Sequence, residues 1–162
     1  MEKHLHTPIG DRDIKELSYG DVVYISGEIV TARDKAHAKL VKEEPPEGLN
    51  LNVIYHAGPL VKKIDKETKV LSCGPTTSSR MQEYIGHIEK KYKTKVFIGK
   101  GKLKTERSVF LLFTGGCGVL AASKIVRVKK VYWEKLGLPE ALWVLEVQKF
   151  GPLVVVNPCK KD

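Results

Sequence analysis

The sequence predicts a single mixed α/β domain of 162 residues. Three observations carry this expectation. Short β-branched runs alternate with stretches of helical spacing, the pattern of strands interleaved with helices. Hydrophobic residues make up 42% of the chain, enough for one core. Glycine and hydroxyl clusters fall where strands end, the places from which a rigid scaffold presents functional side chains. Neither a repeat nor a low-complexity linker divides the chain. Residues 1–162 are therefore read as one unit, with an N-terminal arm over about 1–10 and a polar tail over 159–162.

The elements follow in order. Alternation makes "GDVVYISGEIVTA" (20–32) a strand, with a break at Gly27. "ARDKAHAKLVKEE" reads as a short helix that "EEPPEG" stops. "LNVIYHAGPLV" is a second strand ended by Gly-Pro, "KKIDKETK" a charged turn, and "VLSCG" a third short strand. In "PTTSSRMQEYIGHIEKKY" the hydroxyls of residues 76–79 stand where helix caps belong, and Met81, Tyr84, Ile85 and Ile88 have helical spacing. "TKVFIGKG" is a strand closed by a glycine turn, and "SVFLLFTGGCGVLAASKIV" goes strand, glycine turn, helix. "RVKKVYW" is a strand, "EKLG" a turn or short helix, and "ALWVLEVQKFGPLVVVNP" two closing strands split at "FGP".

The formal charge is +9, from 23 lysines and only five arginines against 19 acids. A protein that reads bases or clamps phosphates leans on arginine, so no nucleic-acid partner is expected. The lysines alternate with glutamates, as on a solvated surface of the kind heat-stable proteins carry. The positive balance also suits an anionic substrate or an acidic partner subunit. No run approaches the roughly 18 apolar residues of a membrane span, and "MEKHLHTPIGDRD" has no apolar signal segment. A cytoplasmic protein with no membrane contact is expected. Cys73, Cys117 and Cys159 are an odd set about forty residues apart, with no CxxC pair. That spacing suits neither a disulfide framework nor an iron–sulfur cluster held by this chain, so three small buried thiols and no metal are expected.

"CGPTTSSRM" (73–81) carries the sharpest signal. Four adjacent hydroxyls are poor helix interior and poor core. At a strand-to-helix turn they stand beside free backbone N–H groups, and Arg80 adds a bidentate fork. The combination points to an anion site that includes Thr76, Thr77 and Arg80. "TARDKAH" gives Arg33, Asp34 and His37, with Arg33 and His37 on one helix face. "IGKGK" sets Lys100 between two glycines after a strand, where it is either solvated or reaches a carboxylate. "FTGGCGVLAAS" has neither the Walker lysine nor the dinucleotide-binding spacing, and reads as a tight turn into a packed helix.

Taken in order, "GDVVYISGEIVTARDKAH", "IYHAGPLV", "GPTTSSRM", "IGKG", "TGGCGVLAA" and "GLPEALWVLEVQKFGPLVV" resemble one family. The chain is similar to the β subunit of the iron–sulfur fumarase and L-tartrate dehydratase hydro-lyases, and equally to the C-terminal domain of single-chain class I fumarases. The resemblance implies a swivelling β/β/α domain. It implies a 4Fe-4S cluster held by three cysteines of a separate α subunit, with the active site between subunits and an α2β2 heterotetramer (two copies of each subunit). It implies that Arg33, Thr76, Arg80 and Lys100 surround the substrate carboxylates, with Thr77 beside them and Asp34 and Gly74 supporting them. Thr76 is the proton-abstracting candidate, and His37 occupies the histidine of the "RDxAH" signature.

The chemistry suits those residue types. Removing water from a 2-hydroxy dicarboxylate breaks a C–O bond, which a Lewis acid assists, and a C–H bond beside a carboxylate. Loss of that proton moves negative charge onto the carboxylate, and fixed cations stabilise it most in the transition state. Two guanidinium forks and one ammonium fit a dicarboxylate. The base is either Thr76, which needs strong activation, or His37, whose ordinary pKa lies near neutrality. The substrate expected is fumarate/malate, with L(+)-tartrate as the alternative. A non-catalytic basic binding module is the reading from a different class.

Overall fold

The structure is a computed structural model that describes residues 1–114 and 117–160. In chain order the elements are β1 (Glu2–His6), α1 (Asp11–Lys15), β2 (Val22–Thr31), α2 (Asp34–Lys42), β3 (Val53–Tyr55), β4 (Leu60–Ile64) and β5 (Glu67–Ser72). A 3-10 turn (Ser78–Met81) leads into α3 (Gln82–Tyr92), then β6 (Val96–Gly99), β7 (Val109–Leu112), α4 (Gly118–Ser123), β8 (Ile125–Tyr132) and β9 (Leu142–Asn157). The mixed α/β class is as expected.

Seven strands form one sheet in the order β1-β2-β3-β6-β7-β9-β8, and β9 also pairs with β2. Neighbours from β1 to β7 are parallel, whereas β9 runs antiparallel to β2, β7 and β8. The extra pairing closes β2-β3-β6-β7-β9 into a ring. Side chains alternate across its strands as the pleat requires. Val53, Tyr55, Val96, Ile98, Val109 and Leu111 point into the ring, where the rings of Tyr55, Phe113 and Phe150 meet with centroids 5.1–6.2 Å apart. Ile54, Phe97 and Phe110 point outward, under Ala36 and Leu40 of α2 and Ile85 and Ile88 of α3. The i, i+4 and i, i+3 spacing of those helical residues forms the apolar stripes that the sheet covers. Each such buried side chain contributes about 1.5–3 kcal/mol. Lys91 Nζ and Tyr92 Oη donate to the carbonyls at the end of α2, which fixes the two helices side by side.

Four readings change. The charged "KKIDKETK" segment is a hairpin, β4–β5, turned at Asp65 and Lys66 with φ of 50° and 69°. Charge hid it: Val61 and Val70 pack one face on the core, but charged residues fill the positions around the turn. The closing pair of strands is one strand, β9, which shifts register between Phe150 and Leu153 and continues. The break at Gly27 is likewise absent: β2 runs on through it with Thr7 Oγ1 accepting from the Glu28 N–H at 2.6 Å, and the extra residue of the register shift lies opposite, in β9 between Val147 and Phe150. Residues 2–6 of the N-terminal arm form the edge strand β1. The glycine turn read at residues 115–116 lies outside the described residues. No helix among those described is long and apolar enough to cross a membrane.

Candidate active site

Topology assembles the site. In a parallel sheet, ligands bind beyond the carboxyl ends of the strands. Three neighbouring parallel strands end here at once: β2 runs into Arg33, β3 into His56–Gly58, and β6 into Lys100. The β4–β5 hairpin then returns the chain to the same rim. Tyr55 Oη donates to the Cys73 carbonyl at 2.6 Å, and Cys73 N–H donates to the Gly118 carbonyl.

From there the hydroxyl-rich segment is zipped in as an extended strip. Pro75 bridges Ala57 and Thr77 bridges Lys100. Thr76 N–H donates to the His56 carbonyl at 2.7 Å, and Ser78 N–H donates to the Lys100 carbonyl at 3.0 Å. The helix-cap expectation fails here. Neither Thr77, before the 3-10 turn, nor Met81, before α3, makes a side-chain capping bond. The backbone of 76–78 is occupied by neighbouring strand ends, and the hydroxyl of Thr76 is free to face another side chain.

That side chain is Arg80. Its Nη2 donates to Thr76 Oγ1 at 3.0 Å and to Asp34 Oδ2 at 2.9 Å. One guanidinium thus joins the "RDxAH" and "GPTTSSRM" segments. Asp34 opens α2, where a carboxylate complements the helix dipole. Arg33, the residue before α2, is half-buried, with its Nε 3.7 Å from Glu140 Oε1. Lys100 and Thr77 are half-buried on the same rim, and Lys100 makes no ion pair among the described residues. Gly74 sits against Gly118, behind the strip.

His37 lies behind rather than at this rim. It is fully buried. Its Nδ1 is 2.8 Å from the Arg33 carbonyl, and a carbonyl only accepts, so Nδ1 carries the proton. Burial pulls its pKa down to about 4, outweighing the backbone bond and the Asp34 charge. His56, also fully buried, stands 4.9 Å away ring to ring and shares a 2.7 Å hydrogen bond between Nδ1 and Ser78 Oγ. Burial, then the neighbouring His37, pushes its pKa well down. A Cβ on Gly99 would stand 1.8 Å from Ser78 Oγ, so only glycine permits this packing.

Sequence reasoning missed His56, Ser78 and Glu140. His56 had a signal, a histidine directly after an apolar strand and just before Gly58. Ser78 was one hydroxyl among four. Glu140 reaches the site from a loop distant in sequence, and only the fold brings it there.

No group of three or more His, Cys, Asp or Glu among the described residues is placed to hold a metal ion. All three cysteines are free; Cys73 is buried as expected, and burial pushes its thiol up to about 12, whereas Cys117 and Cys159 are only half-buried. An iron–sulfur cluster needs several thiolates converging on it, and among the described residues no such group converges, so this donor set does not fit one.

Fold and geometry define the class: an α/β domain with a cationic, hydroxyl-bearing cradle at the carboxyl ends of its parallel strands. Comparison gives the family. Residues 2–161 match the family model described as the fumarase C-terminus, and the chain belongs to that family. It is 39% identical over 165 residues to the L(+)-tartrate dehydratase subunit beta of Escherichia coli K12, covering 96% of this chain and 82% of that one. It is 42% identical over 158 residues to a Methanocaldococcus jannaschii protein provisionally named L(+)-tartrate dehydratase subunit beta, covering 89% and 81%. It is also similar, at 38% over 162 residues, to a Geobacillus stearothermophilus protein provisionally named class I fumarate hydratase. That alignment covers 94% of this chain and 32% of the longer one.

Proposed function

We propose that this chain is the β subunit of an iron–sulfur hydro-lyase that reversibly adds or removes water from a C4 dicarboxylate. The carrying observation is the Arg80 guanidinium held between Asp34 and the Thr76 hydroxyl. Arg80, Arg33 and Lys100 bind the substrate carboxylates, with Thr77 beside them. Asp34 keeps Arg80 in place. Arg80 also presents positive charge to Thr76 Oγ1, which favours the hydroxyl's ionised form and suits it to take the proton beside a carboxylate. His37, with its Nδ1 committed to the Arg33 carbonyl, supports the loop from behind, so its burial favours Thr76 as the base.

The 4Fe-4S cluster belongs to a partner α subunit in this reading. The names of the Escherichia coli and Methanocaldococcus jannaschii relatives, each a subunit beta, support such a partner. The complex is α2β2, which sedimentation would test. The fold is of the swivelling β/β/α type, supported by the two helices over a parallel sheet that β9 closes with antiparallel pairing. Residues 1–162 act as one unit. Two hollows among the described residues, about 660 and 470 Å³, include none of Arg33, Thr76, Arg80 or Lys100, which is in keeping with a site completed by a second surface.

The substrate is fumarate/malate. The names of the tartrate dehydratase relatives favour L(+)-tartrate as a second reading. Anaerobic reconstitution with the α partner, followed by assays on malate and on tartrate, separates the two. Absence of turnover on either with a cluster-loaded partner overturns the proposal.

A further inference from the structure

The "GLPEALW" segment has no part in the chemistry above, yet the fold delivers it to Arg33. Its loop is built rather than loose. Glu140 N–H and Ala141 N–H both donate to the Gly137 carbonyl, and Trp143 Nε1 donates to the Leu138 carbonyl at 2.7 Å. The loop sets Glu140 with one carboxylate oxygen on the Lys35 N–H at 3.1 Å, in the first turn of α2. The other oxygen is 3.7 Å from Arg33 Nε. The carboxylate is only 17% exposed, and Arg33 Nε is buried with no hydrogen-bond partner. The opposite wall is Gly58. A Cβ there would stand 2.7 Å from Arg33 Nη1, 2.8 Å from its Cδ and 2.8 Å from the Pro139 carbonyl.

Arg33 therefore lies in a slot, walled by Gly58 and bounded at its Nε edge by a carboxylate. We propose that Glu140 is a positioning residue: its charge holds the Nε edge of Arg33 inward, so the guanidinium offers its Nη edge to a substrate carboxylate. This rests on the hydro-lyase reading of Arg33. Glu140 has two separable roles in this geometry. As a hydrogen-bond acceptor it tethers the start of α2 through Lys35, which an amide oxygen also does. As a charge it acts on Arg33 and, more weakly, on the dipole at the start of α2, which an amide does not.

Glu140→Gln separates them. In the reconstituted complex it should fold with a melting temperature only slightly lowered by the charge lost at the start of α2, and lower kcat/KM about tenfold, carried by KM, because Arg33 binds a carboxylate in ground and transition states alike. In an Arg33→Lys background the same substitution should cost less than about twofold, since the group it acts through has gone. Gly58→Ala, which crowds Arg33 without touching any charge, should raise KM in the same direction. Two results overturn the inference in an active complex. One is kcat/KM within twofold of the parent in Glu140→Gln. The other is a tenfold loss that persists undiminished with Arg33→Lys, which would make Glu140 a helix tether only. An inactive parent complex would instead remove the hydro-lyase reading on which the inference rests.

Discussion

Acid should destabilise this fold in a pH window set by its buried histidines. His37 is the perturbable group. Its folded pKa is about 4 against an ordinary 6.5. Between those values the unfolded chain binds a proton that the folded chain refuses, so the unfolded state holds more protons and stability falls as pH falls. At full strength the slope is about 1.4 kcal/mol per pH unit for one group, and by pH 4 the loss reaches about 3 kcal/mol for His37 alone. His56, pushed well down by the same burial, adds in the same direction. Asp11, Asp21 and Glu106 do not blur this window. Their partners hold them below their ordinary 3.8 and 4.5, so they lose stability in the same direction, mostly below pH 4.5, where the assay stops. A loss of this size is a large share of a domain's total of about 5–15 kcal/mol. The assay is urea unfolding at several pH values from 7 down to 4.5, with the parent and with His37→Asn. The parent should lose stability steeply below pH 6, and His37→Asn should be less stable at pH 7 but flatter with pH. A parent curve flat to within about 0.5 kcal/mol from pH 7 to 4.5 would refute the buried neutral histidines.

Further outcomes test the site and the place of the cluster. Thr76→Ala in the reconstituted complex should lose on the order of 10²–10⁴ in kcat with little change in melting temperature, and Thr76→Ser should keep part of the rate. Exchange of the C3 hydrogen with deuterated solvent should be lost in Thr76→Ala and retained in His37→Asn; the reverse would assign the proton to His37. Arg80 spends Nη2 on Asp34 and Thr76 and has further N–H donors for a carboxylate, whereas a lysine has one nitrogen for all of them; Arg80→Lys and Arg33→Lys should each cost about 1.5–3 kcal/mol in kcat/KM, while the exposed Arg12→Lys should cost almost nothing. The isolated chain should bind no iron–sulfur cluster under anaerobic reconstitution, and Ser at positions 73, 117 and 159 should leave activity of the complex within about tenfold, as measured by iron content and turnover.

Much of the site was legible because its signals are local. Thr76, Arg80 and Lys100 each sit within a few residues of a glycine, proline or hydroxyl cluster that ends a strand, and Arg33 stands where an alternating strand gives way to a helical stretch. What was not legible depends on partners far apart in sequence. The hydroxyls of 76–79 looked like caps because local chemistry offers that role, but the ends of β3 and β6 claim the backbone first. His37 looked like an available base because its helical position says nothing of depth, and α2 turns it inward beside His56. Glu140 carried no local mark at all. Among the strands, β9 was misread at "FGP" because Gly-Pro usually stops a strand, whereas here a register shift against β2 absorbs it. The β4–β5 hairpin escaped because the alternating half-buried positions of β5 fall on Thr68, Val70 and Ser72, polar and apolar alike, and so leave no hydrophobic alternation in the sequence.

The double pairing of β9 has a consequence for the order of folding. β2 lies near the start of the chain and β9 near its end, and Val23 is matched with Leu153, Thr31 with Trp143. Contacts between such distant segments require a long loop to close before they contribute anything, which slows folding at a given stability. Until β9 arrives, β2 and β7 each have an unpaired edge and the aromatic centre lacks Phe150. A fragment ending before Leu142 therefore retains every residue of the "RDxAH" and "GPTTSSRM" segments and still cannot close the ring that aligns them. The last strand to pair decides when the earlier segments acquire their geometry.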